Sequence, residues 1–223
     1  MNHFERIDDL ENGTFIIQDK RCFCFGTDAV LLANFAKVKK GGVVLDLCTG
    51  NGIIPILLSQ KTQARHITGL EIQPESAELA RRSVKLNSLE NKISIVCGDL
   101  KNHADFFAPA GFDHITVNPP YIKNGGGLVN PQDSLAAARH EILCTLRDVI
   151  CTASVLARVG GKITMIHRPD RLADIICLMR EYKIEPKRIC MVYPKYGAKA
   201  NLILIEGTKG GNPHLVMEKP IIL

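Results

Sequence analysis

Asp46-Leu47-Cys48-Thr49-Gly50-Asn51-Gly52 stands between two apolar runs, Gly41-Gly42-Val43-Val44-Leu45 and Ile53 to Gln60. The first run reads as a buried strand. The second reads as a helix, with Pro55 in its first turn, where a missing N–H does no harm. A strand, a glycine-rich turn and a helix form the nucleotide-binding corner of an open α/β sheet. One glycine pair has little specificity, so the neighbouring segments decide the matter. Ile67-Thr68-Gly69-Leu70-Glu71 is a second strand whose terminal acid lies about 20 residues beyond the turn, where such folds hold ribose hydroxyls. Ile93-Ser94-Ile95-Val96-Cys97-Gly98-Asp99 is a third strand ending in an acid. Asp46, Glu71 and Asp99 thus fall at or just past the carboxyl ends of successive strands, the ligand-binding edge of such sheets. Strand-end acids also serve as helix caps, and that alternative stays open here.

A fourth buried strand, His114-Ile115-Thr116-Val117, runs into Asn118-Pro119-Pro120-Tyr121. Two prolines cannot extend a ladder, and the residue before a proline is pushed to an extended backbone. The result is a rigid corner carrying an amide, free carbonyls and an aromatic ring. That set suits a planar group bearing an amine: the amide oxygen and a proline carbonyl can accept both N–H groups, and the ring can stack on the plane. A plain Pro-Pro turn with a packed tyrosine is the alternative.

The order Asp-x-x-x-Gly-x-Gly, strand-end Glu, Gly-Asp, Asn-Pro-Pro-Tyr resembles the class I methyltransferases that use S-adenosylmethionine, and Asn-Pro-Pro-Tyr resembles their amino-group methylating branch. The opening Phe25-Gly26-Thr27-Asp28-Ala29-Val30-Leu31-Leu32 is similar to that of the small bacterial enzymes that methylate adenine N6 beside the anticodon of valine tRNA. The resemblance runs from about Asp8 to Glu206. It implies a Rossmann-like, seven-stranded, mostly parallel sheet with the last strand antiparallel and helices on both faces. It implies S-adenosylmethionine as cofactor, with Gly50 and Gly52 admitting close backbone approach, Asp46 near the amino-acid portion, Glu71 on the ribose and Asp99 on the adenine. Thr27, Cys48, Ile72, Leu100 and Asn118 complete the expected cofactor set, and Asn118, Pro119, Pro120 and Tyr121 the catalytic one. Cys48 departs from the pattern, since many class I enzymes carry glycine there; a small residue still fits.

The remaining chain reads as one domain over residues 1–223. Residues 1–40 form a hairpin (Thr14 to Phe25, turning at Asp19-Lys20) and a helix (Asp28 to Ala36) that cap the cofactor cleft. The catalytic core is 41–206 and the tail 207–223 is loosely held or folded back. Helices are expected over Pro74 to Asn87, Glu141 to Arg158 and Arg171 to Tyr182, and strands over Lys162 to His167, Arg188 to Tyr193 and Leu202 to Glu206. Strands alternating with helices imply right-handed parallel crossovers. Ile122 to Ala138, with Gly125-Gly126-Gly127 and Asn130-Pro131, reads as a loop that opens for a base, or as a disordered surface loop.

At 223 residues and 46% hydrophobic, the chain can bury a substantial core. No apolar run approaches the roughly 18 residues that span a bilayer, and the first residues lack a signal peptide's apolar stretch. A cytoplasmic protein is expected, without membrane or metal, and a monomer is favoured. The eight cysteines lack zinc spacing and read as buried free thiols. Of the histidines, His140 alone lies near the expected site, and a helix-start or surface role suits it as well. A net charge of +5 is mild. Lys183, Lys187, Arg188, Lys195 and Lys199, with Tyr193 and Tyr196, suit an RNA backbone and unstacked bases, or form a solvated basic face. RNA, most readily tRNA, is the implied partner. The rivals are a guanine-N2 methyltransferase on rRNA, a protein glutamine methyltransferase, and a non-catalytic RNA-binding protein of the same fold.

Overall fold

The computed structural model describes residues 3–10, 13–22, 24–119 and 144–223. Pro120, Tyr121, His140 and the glycine-containing stretch from 122 to 138 lie outside the described residues.

Two antiparallel strands come first, β1 (Glu5–Asp9) and β2 (Phe15–Asp19), with Glu5 opposite Asp19 and Asp9 opposite Phe15. The hairpin expected over Thr14 to Phe25 is therefore displaced: Asp19 ends its second strand instead of forming its turn. The charge-rich β1 has no apolar alternation to announce it and is held from outside. The helix α3 (Pro74–Leu86) does the holding. Arg82 forks onto the Glu5 carboxylate at 2.7 and 2.8 Å, while Ser83 and Asn87 bond the free edge of β2 through Ile17 N and Phe15 N.

The main sheet contains β3 (Val43–Leu47), β4 (His66–Glu71), β5 (Ile93–Cys97), β6 (Phe112–Val117), β7 (Ala157–His167), β8 (Ile184–Tyr193) and β9 (Leu202–Lys209), in the order β8-β9-β7-β6-β3-β4-β5. All neighbours are parallel except β9, which runs antiparallel between β7 and β8. This is the expected seven-stranded arrangement. The tail folds back: β10 (Val216–Met217) and β11 (Ile221–Ile222) add two short parallel strands on β8.

Both faces of the sheet are covered, so its central strands lose the alternation of half-exposed ones. Every residue of β6 is buried. One core layer joins α1 (Thr27–Phe35), α2 (Ile53–Lys61) and Val84 of α3 to Val44, Ile67, Ile166 and Leu204. The other joins α4 (Leu146–Leu156) and α5 (Leu172–Glu181) to Leu45, Leu47, Ile115, Ile163 and Ile205. Ile53, Ile54, Ile56, Leu57 and Leu58 of α2 are all buried, each worth about 1.5–3 kcal/mol, so burial holds this short helix.

Three elements depart most from the sequence expectation. Helix α4 starts at Leu146, fixed by a reciprocal capping box between Thr145 and Asp148, and hands over to β7 at Ala157 without a loop. Residues 158–161 bulge between the pairs Phe112–Ala157 and His114–Lys162, with Gly160 at φ 78°, which breaks the apolar pattern before Lys162. Strand β8 begins at Ile184 because its register slips between Pro186 and Arg188, where a proline is tolerated.

Among the described residues, no helix is long and apolar enough to cross a membrane. The eight cysteines are free, but only Cys190 is buried; Cys177 is exposed and the others are partly so.

Candidate active site

The ladder register aligns Val96, Leu70, Leu47, Val117 and Met165 across the sheet. One residue further along each strand stand Cys97, Glu71, Cys48 and Asn118, which places the expected residues on one carboxyl-terminal edge.

The turn after β3 is built from left-handed backbone. Cys48, Gly50 and Gly52 have φ of 58°, 57° and 84°. This explains why glycine suits position 48: a Cβ costs roughly 1–2 kcal/mol in that region. At Gly52 a Cβ would also stand 3.1 Å from Ala80 Cβ, so the turn lies close against α3. Glu71 fastens the turn to the next strand. Its carboxylate accepts from Gly50 N at 2.8 Å and Gln73 N at 2.9 Å. Asp46, with 0% exposure, accepts from the hydroxyls of Thr49 and Thr116, each at 2.6 Å. Burial pushes its carboxyl up to about 7 against the pull of those hydroxyls, and the nearby Glu71 charge adds to the rise.

The capping role is realised in part. Asp99 accepts from Lys101 N at 2.9 Å and opens the 3-10 helix Leu100–Asp105, while keeping partial exposure. Glu71 receives the N–H of Gln73, which precedes α3. Asp46 caps no helix. Ile72 is partly exposed beside Glu71. Leu100 lies in the core, its carbonyl accepting from Thr152 Oγ1 at 3.1 Å. The Cys48 thiol meets that of Cys144; their hydrogen bond, with burial, raises Cys48 well above the ordinary thiol value, and the same bond lowers Cys144.

At the end of β6, Asn118 is partly exposed and Pro119 buried. Asn118 Nδ2 donates to Asp28 Oδ2 at 3.3 Å. With Asp28 accepting, the contact sets the amide with its nitrogen toward Asp28 and leaves Oδ1 without a partner among the described residues. Asp28 is a site residue that sequence reasoning did not single out. It sits in the first turn of α1 beside the exposed Thr27, inside the Phe25-Gly26-Thr27-Asp28 motif, but its partner is 90 positions away. The far end of α1 is also tied, by Arg188 Nη2 to the Phe35 carbonyl at 3.0 Å.

The basic cluster of residues 183 to 199 does not stay together. Lys183 and Lys187 lie at the amino-terminal end of β8, and Lys195 and Lys199 beyond its carboxyl end. Arg188 is largely buried, paired with Glu206 at 2.9 Å and Glu218 at 3.2 Å. Among the described residues, no group of three or more His, Cys, Asp or Glu side chains is placed to hold a metal.

Residues 23–167 match the family model of the methyltransferase small domain. The chain is 32% identical over 173 residues to a tRNA1(Val) (adenine(37)-N6)-methyltransferase of Porphyromonas gingivalis, covering 75% of this chain and 67% of that protein. A protein of the same name from Aeromonas salmonicida is 28% identical over 201 residues, 89% of this chain and 82% of its own length. A predicted O-methyltransferase from Agrobacterium tumefaciens superposes with a TM-score of 0.71 at 25% identity, over 87% of this chain and 86% of that one.

Proposed function

We propose that this chain, which belongs to the methyltransferase small domain family, methylates the exocyclic N6 amine of an adenosine in tRNA, at an unpaired position near the anticodon. The observation that carries the reading is the Asn118 amide, held by Asp28 at the end of β6 with its oxygen unspent among the described residues and the Pro119 backbone beside it. The names of the relatives from Porphyromonas gingivalis and Aeromonas salmonicida support the adenine and the tRNA.

The turn after β3 fits S-adenosylmethionine. Asn51 Nδ2 is buried without a hydrogen-bond partner among the described residues, an unspent donor within the turn. A Cβ at Gly50 would meet no atom within 4 Å, so open space adjoins the turn where a nucleoside approaches. Gly50 and Gly52 shape that approach, Asp46 and Glu71 stand beneath it, and Asp99 with Ile72 and Leu100 flanks it on the β5 side. When bound, the cofactor supplies a methyl group already activated on a sulfonium centre.

The chain's own residues supply position. Adenine N6 is a poor nucleophile because its lone pair is delocalised into the ring. Asn118 Oδ1 and the Pro119 carbonyl accept its two N–H groups, favour a pyramidal nitrogen and leave its lone pair directed across the cleft. Tyr121 is assigned the stacking role on the base face from its place in the Asn118-Pro119-Pro120-Tyr121 motif. The surplus proton leaves the nitrogen after transfer, so no residue acts as base beforehand. An anticodon-loop base is already unpaired and enters without the cost of opening a duplex. The reading places the enzyme with tRNA in the cytoplasm.

The deciding experiment is transfer of labelled methyl from S-adenosylmethionine to unmodified tRNA, followed by nucleoside analysis. N6-methyladenosine in the valine tRNA fraction is the expected result. Label in N2-methylguanosine or in protein glutamine would overturn the substrate assignment.

A further inference from the structure

Sheet topology puts a basic, aromatic loop on the same edge as Asn118. Strand β8 is antiparallel to β9, which is antiparallel to β7, so β8 runs parallel to β6 and β7. Its carboxyl end therefore opens on the catalytic edge. There the chain turns through Tyr193-Pro194-Lys195-Tyr196-Gly197-Ala198-Lys199 before entering β9. Three strand spacings separate β6 from β8, a lateral offset of about 14 Å. That offset lies on the opposite side of Asn118 from the cofactor turn.

The loop is firmly rooted. Asn201 N bonds the Val192 carbonyl at 3.0 Å, Ala198 N bonds the Lys195 carbonyl at 3.2 Å, and β11 pairs with Val192 and Tyr193 from the other side. At its tip Tyr196 is 90% exposed, which no folding term favours for so large a ring. Lys195 and Lys199 are exposed on either side of it, and no ion pair ties them to a described residue. The arginines at the nearby end of β7 differ: Arg168 pairs with Asp170 and Arg171 with Asp174. Among the described residues, Lys195 and Lys199 thus set unneutralised charge around Tyr196.

We propose that this loop grips the single-stranded RNA next to the methylated base. Tyr196 stacks on a neighbouring unpaired base, and Lys195 and Lys199 contact the phosphates on either side. A ring flanked by cations on a rigid turn fits an unstacked base and its backbone, and charge complementarity selects nucleic acid over an acidic protein segment lacking stacked planes. The inference rests on the tRNA reading and adds the surface through which that substrate is held.

The test uses the full-length protein and in vitro transcribed, unmodified tRNA. Binding is read by fluorescence anisotropy at several salt concentrations, and methyl transfer is read in parallel. Tyr196→Ala should weaken tRNA binding about 10-fold, raise KM for tRNA and leave kcat and S-adenosylmethionine affinity unchanged. Tyr196→Trp should restore binding, which a merely structural role would not require. The double variant Lys195→Ala, Lys199→Ala should lower the slope of log binding constant against log salt by about 1.4. These side chains are exposed, so thermal midpoints should match the parent protein. Methylation of tRNA by the parent protein with unaltered KM in Tyr196→Ala would overturn the loop assignment while sparing the function. No tRNA binding by the parent protein would overturn both.

Discussion

The two halves of the sheet, divided at β6, treat buried carboxylates in opposite ways. On the β7-β9-β8 side, Glu206 is 2% exposed and receives Lys162 Nζ at 3.1 Å and Arg188 Nη2 at 2.9 Å. Burial would raise its carboxyl, and these two cations outweigh that effect and hold it below the ordinary value. On the β3-β4-β5 side, Asp46 is as deeply buried and, among the described residues, has hydroxyl donors alone, so burial raises it to about 7. Glu71, among the described residues, accepts from backbone N–H groups. Cations neutralise Glu206, whereas neutral donors satisfy Asp46 and Glu71 among the described residues.

The strongest way to break the comparison is at Arg188. Arg188→Leu leaves Glu206 short of a cation in the interior and frees the end of α1, and should lower stability by about 3–5 kcal/mol in denaturant unfolding. Adding Glu206→Leu should recover much of that loss. No recovery would mean that the cost came from lost packing on Phe35, over whose ring Arg188 lies at 4.2 Å, rather than from the stranded charge.

Asn118→Ala tests the boundary between the halves. Methyl transfer should fall about 10²–10³-fold, the usual cost of one preorganised polar contact at the reacting centre. Cofactor affinity by calorimetry should stay unchanged; a loss of affinity would move Asn118 from the reacting centre to the cofactor site.

The subtlest effect is the pH dependence contributed by Asp46. Its carboxyl titrates near 3.8 when unfolded and near 7 when folded. Between those values the folded protein keeps a proton that the unfolded chain has lost, so this group's contribution to stability falls as pH rises. Asp46→Asn removes the effect, and the stability of the variant relative to the parent should climb from about pH 4 to 7. His114, which burial lowers to about 4, contributes with the opposite sign but is common to both proteins and cancels. A flat difference would show that Thr49 and Thr116 keep the carboxylate charged.

The β3-β4-β5 half was the more legible in sequence because its signals are local. A strand, a left-handed turn and a helix within a few residues leave a direct imprint, as at Val43 to Lys61. Legibility failed where distant groups supply the stabilisation. β1 is a strand because α3 holds its hairpin, through Arg82 on Glu5 and Ser83 and Asn87 on β2, so its own residues carried no signal. The basic run from Lys183 to Lys199 looked like one patch, but β8 places its ends on opposite edges of the sheet and ties Arg188, largely buried, to Glu206. Cys48 read as a harmless variant because a backbone angle is invisible in residue identity.

Residue order alone carried the parallel α/β architecture, the glycine turn after β3 and the Asn118-Pro119 corner, because alternation, glycines and prolines act through neighbouring backbone. Only the tertiary structure paired Asp28 with Asn118 and Arg188 with Glu206 and Phe35, and brought Tyr196 to the sheet edge that carries Asn118. Those contacts join residues far apart in the chain, and each depends on strand register and crossover direction, which no local pattern encodes.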